Sequence, residues 1–192
     1  ESYLSLPPGN DGRALNDRSI VLRLDVPGFS ALFTGDIESD IDARIIRNIS
    51  APVDFLKTPH HGSKGSTSRA LLNVLNPRVS VVSVGVKNTY GHPATETLQR
   101  LGERGAAVER TDLNGTVTIT VPLQQPDQIK IRSGIGERLA PARSAVGRRA
   151  PGTPASDAVW PIRLASVGVA GEGSGCPIPR ARIRPWEQHR SS

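Results

Sequence analysis

A single cysteine, Cys176, stands in 192 residues, so the chain has neither a disulfide framework nor a thiolate metal site. Methionine is absent, and three Phe, two Tyr and two Trp are all the aromatics. A buried core must therefore be built from Leu, Ile, Val and Ala. No apolar run approaches the ~18 residues that a membrane-spanning helix needs. Histidine is also scarce, yet three of the four, His60, His61 and His92, fall within one short region. The chain opens on Glu1 rather than Met, which reads as the interior of a longer sequence.

The formal charge of +6 is unevenly spread. Residues 1–135 carry 15 Lys+Arg against 14 Asp+Glu, whereas residues 136–192 carry 9 against 4. Basicity thus belongs to the second segment, which also holds seven Pro and seven Gly and shows no sustained period. Such a composition offers too little apolar surface to offset a backbone ordering cost of about 1–2 kcal/mol per residue. The expectation is an ordered domain over 1–135 and a disordered tail over 136–192, with Trp160 and Trp186 isolated in it.

Alternating strands and helices are legible from residue 19 onward. Residues 19–26 and 29–34 read as a hairpin around Pro27-Gly28. Ile37, Ile41, Ile45, Ile46 and Ile49 recur at helical spacing, with an acidic first turn that suits the helix dipole. Strands are expected at 53–58, 79–85, 106–110 and 115–121, with an edge strand at 128–132. Helices carrying Leu71, Leu72 and Leu75, and then Leu98 and Leu101, lie between them. The fold class is α/β with a mixed sheet.

Two segments carry chemistry. Leu32-Phe-Thr-Gly-Asp36 and Asp54-Phe-Leu-Lys-Thr-Pro-His-His-Gly-Ser63 each run as an apolar strand that stops on metal-binding residue types. A carboxylate at one strand end and a histidine pair 24 and 25 positions later supply donors for a hydrolytic metal site on a sheet edge. Asp36 has a competing role as a helix N-cap, which needs a different rotamer. Adjacent side chains on an extended segment diverge, so one of His60 and His61 is expected to face Asp36. His92, in Tyr90-Gly-His-Pro93, has three roles open to it: metal ligand, phosphate contact at a helix start, or loop support. Lys57 and Lys64 either contact a phosphate or are ordinary exposed lysines. Ser63 joins Lys57 and His92 as a candidate substrate-binding residue.

At these residues the chain resembles the metallo-β-lactamase-like domain at the C-terminal end of ComEC-type competence proteins, the inner-membrane channels for DNA uptake in transformation. The likeness runs from Asn16-Asp-Arg-Ser-Ile-Val-Leu-Arg-Leu24 through Leu32-Phe-Thr-Gly-Asp-Ile-Glu38 and Leu56-Lys-Thr-Pro-His-His-Gly-Ser63. It continues through Pro77-Arg-Val-Ser-Val-Val-Ser-Val-Gly85 and Asn88-Thr-Tyr-Gly-His-Pro93 to Arg110-Thr-Asp-Leu-Asn-Gly-Thr-Val117, covering about residues 14–133.

The resemblance implies a four-layer αβ/βα sandwich with one or two divalent ions, zinc or manganese, at the sheet edges. It implies that Asp36 bridges the metals, that His61 ligates the second, and that His60 is a neighbouring or alternative ligand; these three would be the catalytic set. His92 falls in a motif that contacts substrate or supports the ligands, and it stays eligible as a ligand. The family's His-x-His-x-Asp-His motif has no counterpart here, so the chain is similar to the second half of that domain. Its partners would be the missing N-terminal half, the membrane channel region and single-stranded DNA.

The implied function is a fragment of a ComEC-type protein whose complete domain is a metal-dependent phosphodiesterase or nuclease acting on DNA during uptake. The expected location is a soluble domain of an inner-membrane protein, on the periplasmic or extracytoplasmic side. The rivals are a small-molecule metallo-hydrolase of esters or phosphorylcholine-type phosphodiesters, and a catalytically incomplete structural module. Without the first half, the inner faces of strands 19–26, 29–34 and 79–84 are expected to lie uncovered.

Overall fold

Pro27-Gly28 turns the chain between β1 (Leu22–Val26) and β2 (Phe29–Phe33), which pair antiparallel from Leu22 with Phe33 to Val26 with Phe29. A computed structural model describes residues 15–49, 52–122, 124–142 and 159–164. After β2 the chain enters a 3-10 turn (Ser39–Ile41) and helix α1 (Asp42–Asn48), then β3 (Phe55–Lys57). Helix α2 (Arg69–Leu75), β4 (Val79–Val82), helix α3 (Thr95–Glu103) and β5 (Ala107–Arg110) follow. The first sheet has the order β1-β2-β3-β4-β5, with β2 to β5 all parallel.

A single helical turn α4 (Thr111–Asn114) leads into β6 (Val117–Pro122), β7 (Lys130–Ser133) and β8 (Gly136–Leu139). With β9 (Val159–Leu164) these form a second, antiparallel sheet of order β8-β7-β6-β9.

Period-2 patterning distributes the core. Leu32, Leu56 and Val82 join Leu71, Leu72, Leu75 and Leu101 in an apolar layer between the first sheet and its helices. On the opposite face, Phe29, Ala31, Phe55, Val79 and Val81 pack with Val117, Ile119, Val121 and Ile131 of the second sheet. Ile119 and Ile131 are fully buried, each removing side-chain surface worth about 1.5–3 kcal/mol from water. The layers therefore run helix, sheet, sheet, as the α/β reading requires. Ser68 caps α2 by accepting the Leu71 N–H, and Asn76 in the left-handed region ends it before Pro77.

Three expectations change. The inner faces of 29–34 and 79–84 are not left uncovered, because β6 and β7 cover them. The strand near 128–132 is not an edge, since β7 pairs with β6 on one side and β8 on the other. Strands β8 and β9 both lie beyond residue 135, in the segment whose composition indicates disorder. Each residue of β8 is exposed, so backbone pairing rather than side-chain burial holds it and no apolar pattern marks it. The rest of that segment, residues 143–158 and 165–192, is outside the described residues, Trp186 and Cys176 included.

Arg78 and Glu109 tie the two sheets together with buried charge. Arg78 sits at the entry to β4, donates from Nε to the Pro141 carbonyl at 2.8 Å and from Nη2 to the Asp127 carbonyl at 2.5 Å, and places Nη1 3.5 Å from Asp54 Oδ1. Asp54 in turn accepts the Ser30 N–H at 2.9 Å, coupling the starts of β2, β3 and β4. Glu109, fully buried on β5, accepts from Arg138 of β8 at 2.6 Å and from Asn114.

Removing one partner of a buried pair leaves its counter-charge uncompensated. Arg78→Leu is therefore expected to destabilise the chain by about 3–5 kcal/mol in urea unfolding. Arg69→Leu, which removes an exposed pair with Glu103, is expected to leave the midpoint unchanged. Equal midpoints for both variants would contradict the latch role of Arg78.

Candidate metal and phosphodiester site

Parallel register decides what meets at the carboxyl edge of the first sheet. Phe33 aligns with Lys57 and Lys57 with Val81, so the residues that follow each strand emerge side by side. Those residues are Gly35-Asp36, Pro59-His60-His61 and Ser83 onward. The Thr58 N–H donates to the Val81 carbonyl and the Thr34 hydroxyl to the Lys57 carbonyl, which fixes the three strand ends against one another.

Asp36 does not cap a helix. The 3-10 turn has Glu38 at its N-cap position with no side-chain cap, and Asp36 Oδ1 lies 3.5 Å from His61 Nε2 and 3.7 Å from Lys57 Nζ. The Asp36 N–H donates to Ser19 Oγ at 2.9 Å. Gly35, at φ +56, brings the chain so close to Ser19 that an added Cβ would sit 2.6 Å from the Ser19 Cβ.

His60 and His61 are not on an extended segment. Both adopt left-handed backbone, φ 42° and 51°, within the turn Pro59–Gly62, a conformation that costs a non-glycine residue about 1–3 kcal/mol. This turn stands both rings at the site, 6.3 Å apart, where an extended segment would have turned one away. It is held by the His60 N–H to the Gly35 carbonyl at 3.1 Å, and by close packing of Gly62 (φ +80) on Pro93.

The two imidazoles have different partners. His61 Nδ1 is 2.6 Å from the Ser83 carbonyl, which can only accept, so that nitrogen carries the proton. In neutral His61 the Nε2 lone pair then faces the Asp36 carboxylate. His60 Nδ1 instead meets Glu38 Oε1 at 2.6 Å. Glu38 is buried, and its Oε2 has no hydrogen-bond partner among the described residues.

Glu38 is the site residue that the sequence reading passed over, as part of an acidic helix start. The signal was the i, i+2 spacing in Asp36-Ile37-Glu38. Glu38 has extended backbone, and Ile37 between the two carboxylates is buried.

His92 lies edge-on to His60 with centroids 5.4 Å apart, and Tyr90 stacks on His92 at 6.1 Å. Burial, then the neighbouring His60 and His61, push its pKa down. Lys57 is held below its ordinary pKa by burial, against the pull of Asp36, and donates to the Gly35 carbonyl at 3.1 Å. Ser63 is buried, and its hydroxyl accepts the Gly65 N–H within its own loop. Lys64 pairs with Glu96 on the surface.

Two ligand atoms on one tetrahedral ion at ~2.1 Å lie about 3.4 Å apart, close to the 3.5 Å between Asp36 Oδ1 and His61 Nε2. Two such acceptor atoms are brought together by a proton on His61 or by a metal cation between them. The His61 proton held by the Ser83 carbonyl is the usual arrangement for a ligating histidine. Asp36 and His61 thus fit two ligand positions. Among the described residues no group of three or more His, Cys, Asp or Glu is arranged to hold a metal ion, so His60 and His92 do not complete a shell with them.

No family model matches the chain. Over 114 residues it is 39% identical to ComE operon protein 3 of Bacillus subtilis, a stretch that is 58% of this chain and 14% of that protein. It is 36% identical over 107 residues to Recombination protein 2 of Haemophilus influenzae, covering 56% of this chain and 14% of that one. Competence protein ComA of Neisseria gonorrhoeae is 33% identical over 104 residues, 53% and 15% of the two chains. The chain is of the ComEC type. It spans about one seventh of the length of these relatives, and none of the helices of this ComEC-type segment, among the described residues, is long and apolar enough to cross a membrane.

Because Gly35 and Gly62 are locked by both φ and contact, Gly35→Ala and Gly62→Ala are each expected to cost about 1–3 kcal/mol. Gly102→Ala, in α3 with open space around it, should instead gain about 0.5–1 kcal/mol. Thermal melts of the three variants check this, and a neutral Gly62→Ala would show that the histidine turn does not need its present backbone.

Proposed function

We propose that this edge is part of a divalent-metal phosphodiesterase site that acts on single-stranded DNA during uptake, within a domain of the metallo-β-lactamase-like kind. The observation that carries the reading is the Asp36 to His61 pair, aligned at ligand spacing with the outer nitrogen of His61 already engaged by Ser83. The resemblance at Thr34-Gly-Asp36 and His60-His-Gly-Ser63 supports it, as do the competence proteins that match the same stretch.

In this reading Asp36 and His61 hold the ion, zinc or manganese, and the remaining ligands come from the upstream half of the domain. A bound divalent ion there polarises a phosphoryl oxygen and makes water a stronger acid. The chain's own residues do the rest. The Ser83 carbonyl fixes the His61 ring, and the left-handed turn fixes its height above the sheet. Lys57, 3.7 Å from Asp36, keeps the carboxylate oriented and, when protonated, adds cationic field toward a phosphate. His60, held by Glu38, and His92 line the side on which substrate enters.

The segment would belong to the soluble, extracytoplasmic part of a membrane channel protein, with the channel region and the N-terminal half of the domain as its partners.

Isothermal titration with zinc and manganese tests the ligand assignment. With the upstream half of the domain supplied, the chain is expected to bind one of them, and Asp36→Ala and His61→Ala should each weaken binding by about tenfold or more. His189→Ala should change nothing. Equal affinity in all four proteins would contradict the site. With the upstream half supplied, hydrolysis of single-stranded DNA in preference to a phosphorylcholine-type diester is the expected activity, and the opposite preference would favour the small-molecule reading.

A further inference from the structure

Tyr90 has no structural duty that explains its place. Its side chain is 82% exposed on the loop between β4 and α3, one of the most exposed apolar groups among the described residues. Yet it is not on a loose loop. Asn88 closes a reciprocal pair with the His92 backbone: Nδ2 donates to the His92 carbonyl at 2.8 Å, and Oδ1 accepts the His92 N–H at 3.1 Å. The Asn88 N–H is tied to the Gly85 carbonyl at 3.1 Å. Within this frame Tyr90 stacks on His92 at an interplanar angle of 19°, and His92 meets His60 edge-on. A run of rings thus leads outward from His60, beside the Asp36 and His61 pair, and ends in an aromatic face open to water.

We propose that Tyr90 is a base-stacking platform that positions an unpaired nucleobase next to the phosphodiester held at the Asp36 and His61 edge. This rests on the phosphodiesterase reading above and assigns its preference for single strands to one residue. An exposed aromatic ring on a loop whose backbone is tied by Asn88 offers a π-face that accepts any base. The loop's Lys87, also exposed, supplies charge for the accompanying backbone. In a duplex the faces of interior bases are covered by their neighbours, so Tyr90 can take only an unpaired base. Selectivity for single strands then follows from stacking and needs no base-specific hydrogen bond.

The test uses the 192-residue chain and fluorescence anisotropy, with two labelled single strands of about 12 nucleotides, one of thymidylate and one abasic throughout. Wild type is expected to bind the thymidylate strand about tenfold more tightly than the abasic strand. Tyr90→Ala should abolish that difference while leaving abasic binding unchanged, and Tyr90→Phe should keep it. A tenfold preference that survives Tyr90→Ala would overturn the platform and leave the phosphodiester reading standing, as would equal binding of both strands by wild type. Failure of wild type to bind either strand would overturn both. Loss of affinity by Tyr90→Ala for both strands equally would assign Tyr90 to the backbone or to a protein contact and overturn the stacking role.

Discussion

Parallel pairing of β2, β3 and β4 is the constraint on which the site depends. With Leu32 opposite Leu56 and Leu56 opposite Ser80, three strands separated by helices end at one edge, and the polar residues after each strand become neighbours. A one-residue slip of β3 would turn Leu56 from the helix layer toward the second sheet and move the histidine turn away from Asp36. Burial on both faces of the first sheet therefore selects the same register that aligns the donors. The packing of Phe55 and Leu56 on opposite sides thus also sets the geometry of the proposed site.

Beyond the register, the site is held by the groups that surround it. Ser19 receives the Asp36 N–H, Ser83 orients His61, and Glu38 engages His60. Two consecutive left-handed histidines store backbone strain that close packing on Pro93 and the Gly35 carbonyl must offset. Strain of this kind persists only where the surroundings over-determine the geometry. Its result is two imidazoles on one edge with distinct roles, one aligned with Asp36 and one with Glu38.

Much of this was legible in the residues alone. Periodicity located the β1–β2 hairpin and the helices carrying Leu71 and Leu101, because burial on one face leaves a clear mark. The abrupt stop of apolar strands on Asp36 and His60-His61 marked the edge. Three things were not legible. The left-handed turn has only a weak propensity signature, since histidine is merely enriched among the few non-glycine residues that adopt it and two in succession need tertiary contact. Glu38 was hidden by its double reading as a helix-start acid. Strand β8 was hidden because exposed side chains held by backbone pairing carry no pattern, and Pro/Gly content outweighed what little there was.

The central claim is that His61 presents Nε2 as a ligand nitrogen toward Asp36 while Ser83 keeps the proton on Nδ1. Long-range proton–nitrogen correlation spectra of the histidine side chains read this directly. Neutral His61 is expected to be the Nδ1–H tautomer, and with the upstream half supplied, addition of zinc is expected to move the Nε2 resonance to the metal-bound range while His60 keeps its Nδ1 contact with Glu38. A His61 protonated on Nε2, or a zinc titration that shifts His60 and leaves His61 in place, would contradict it.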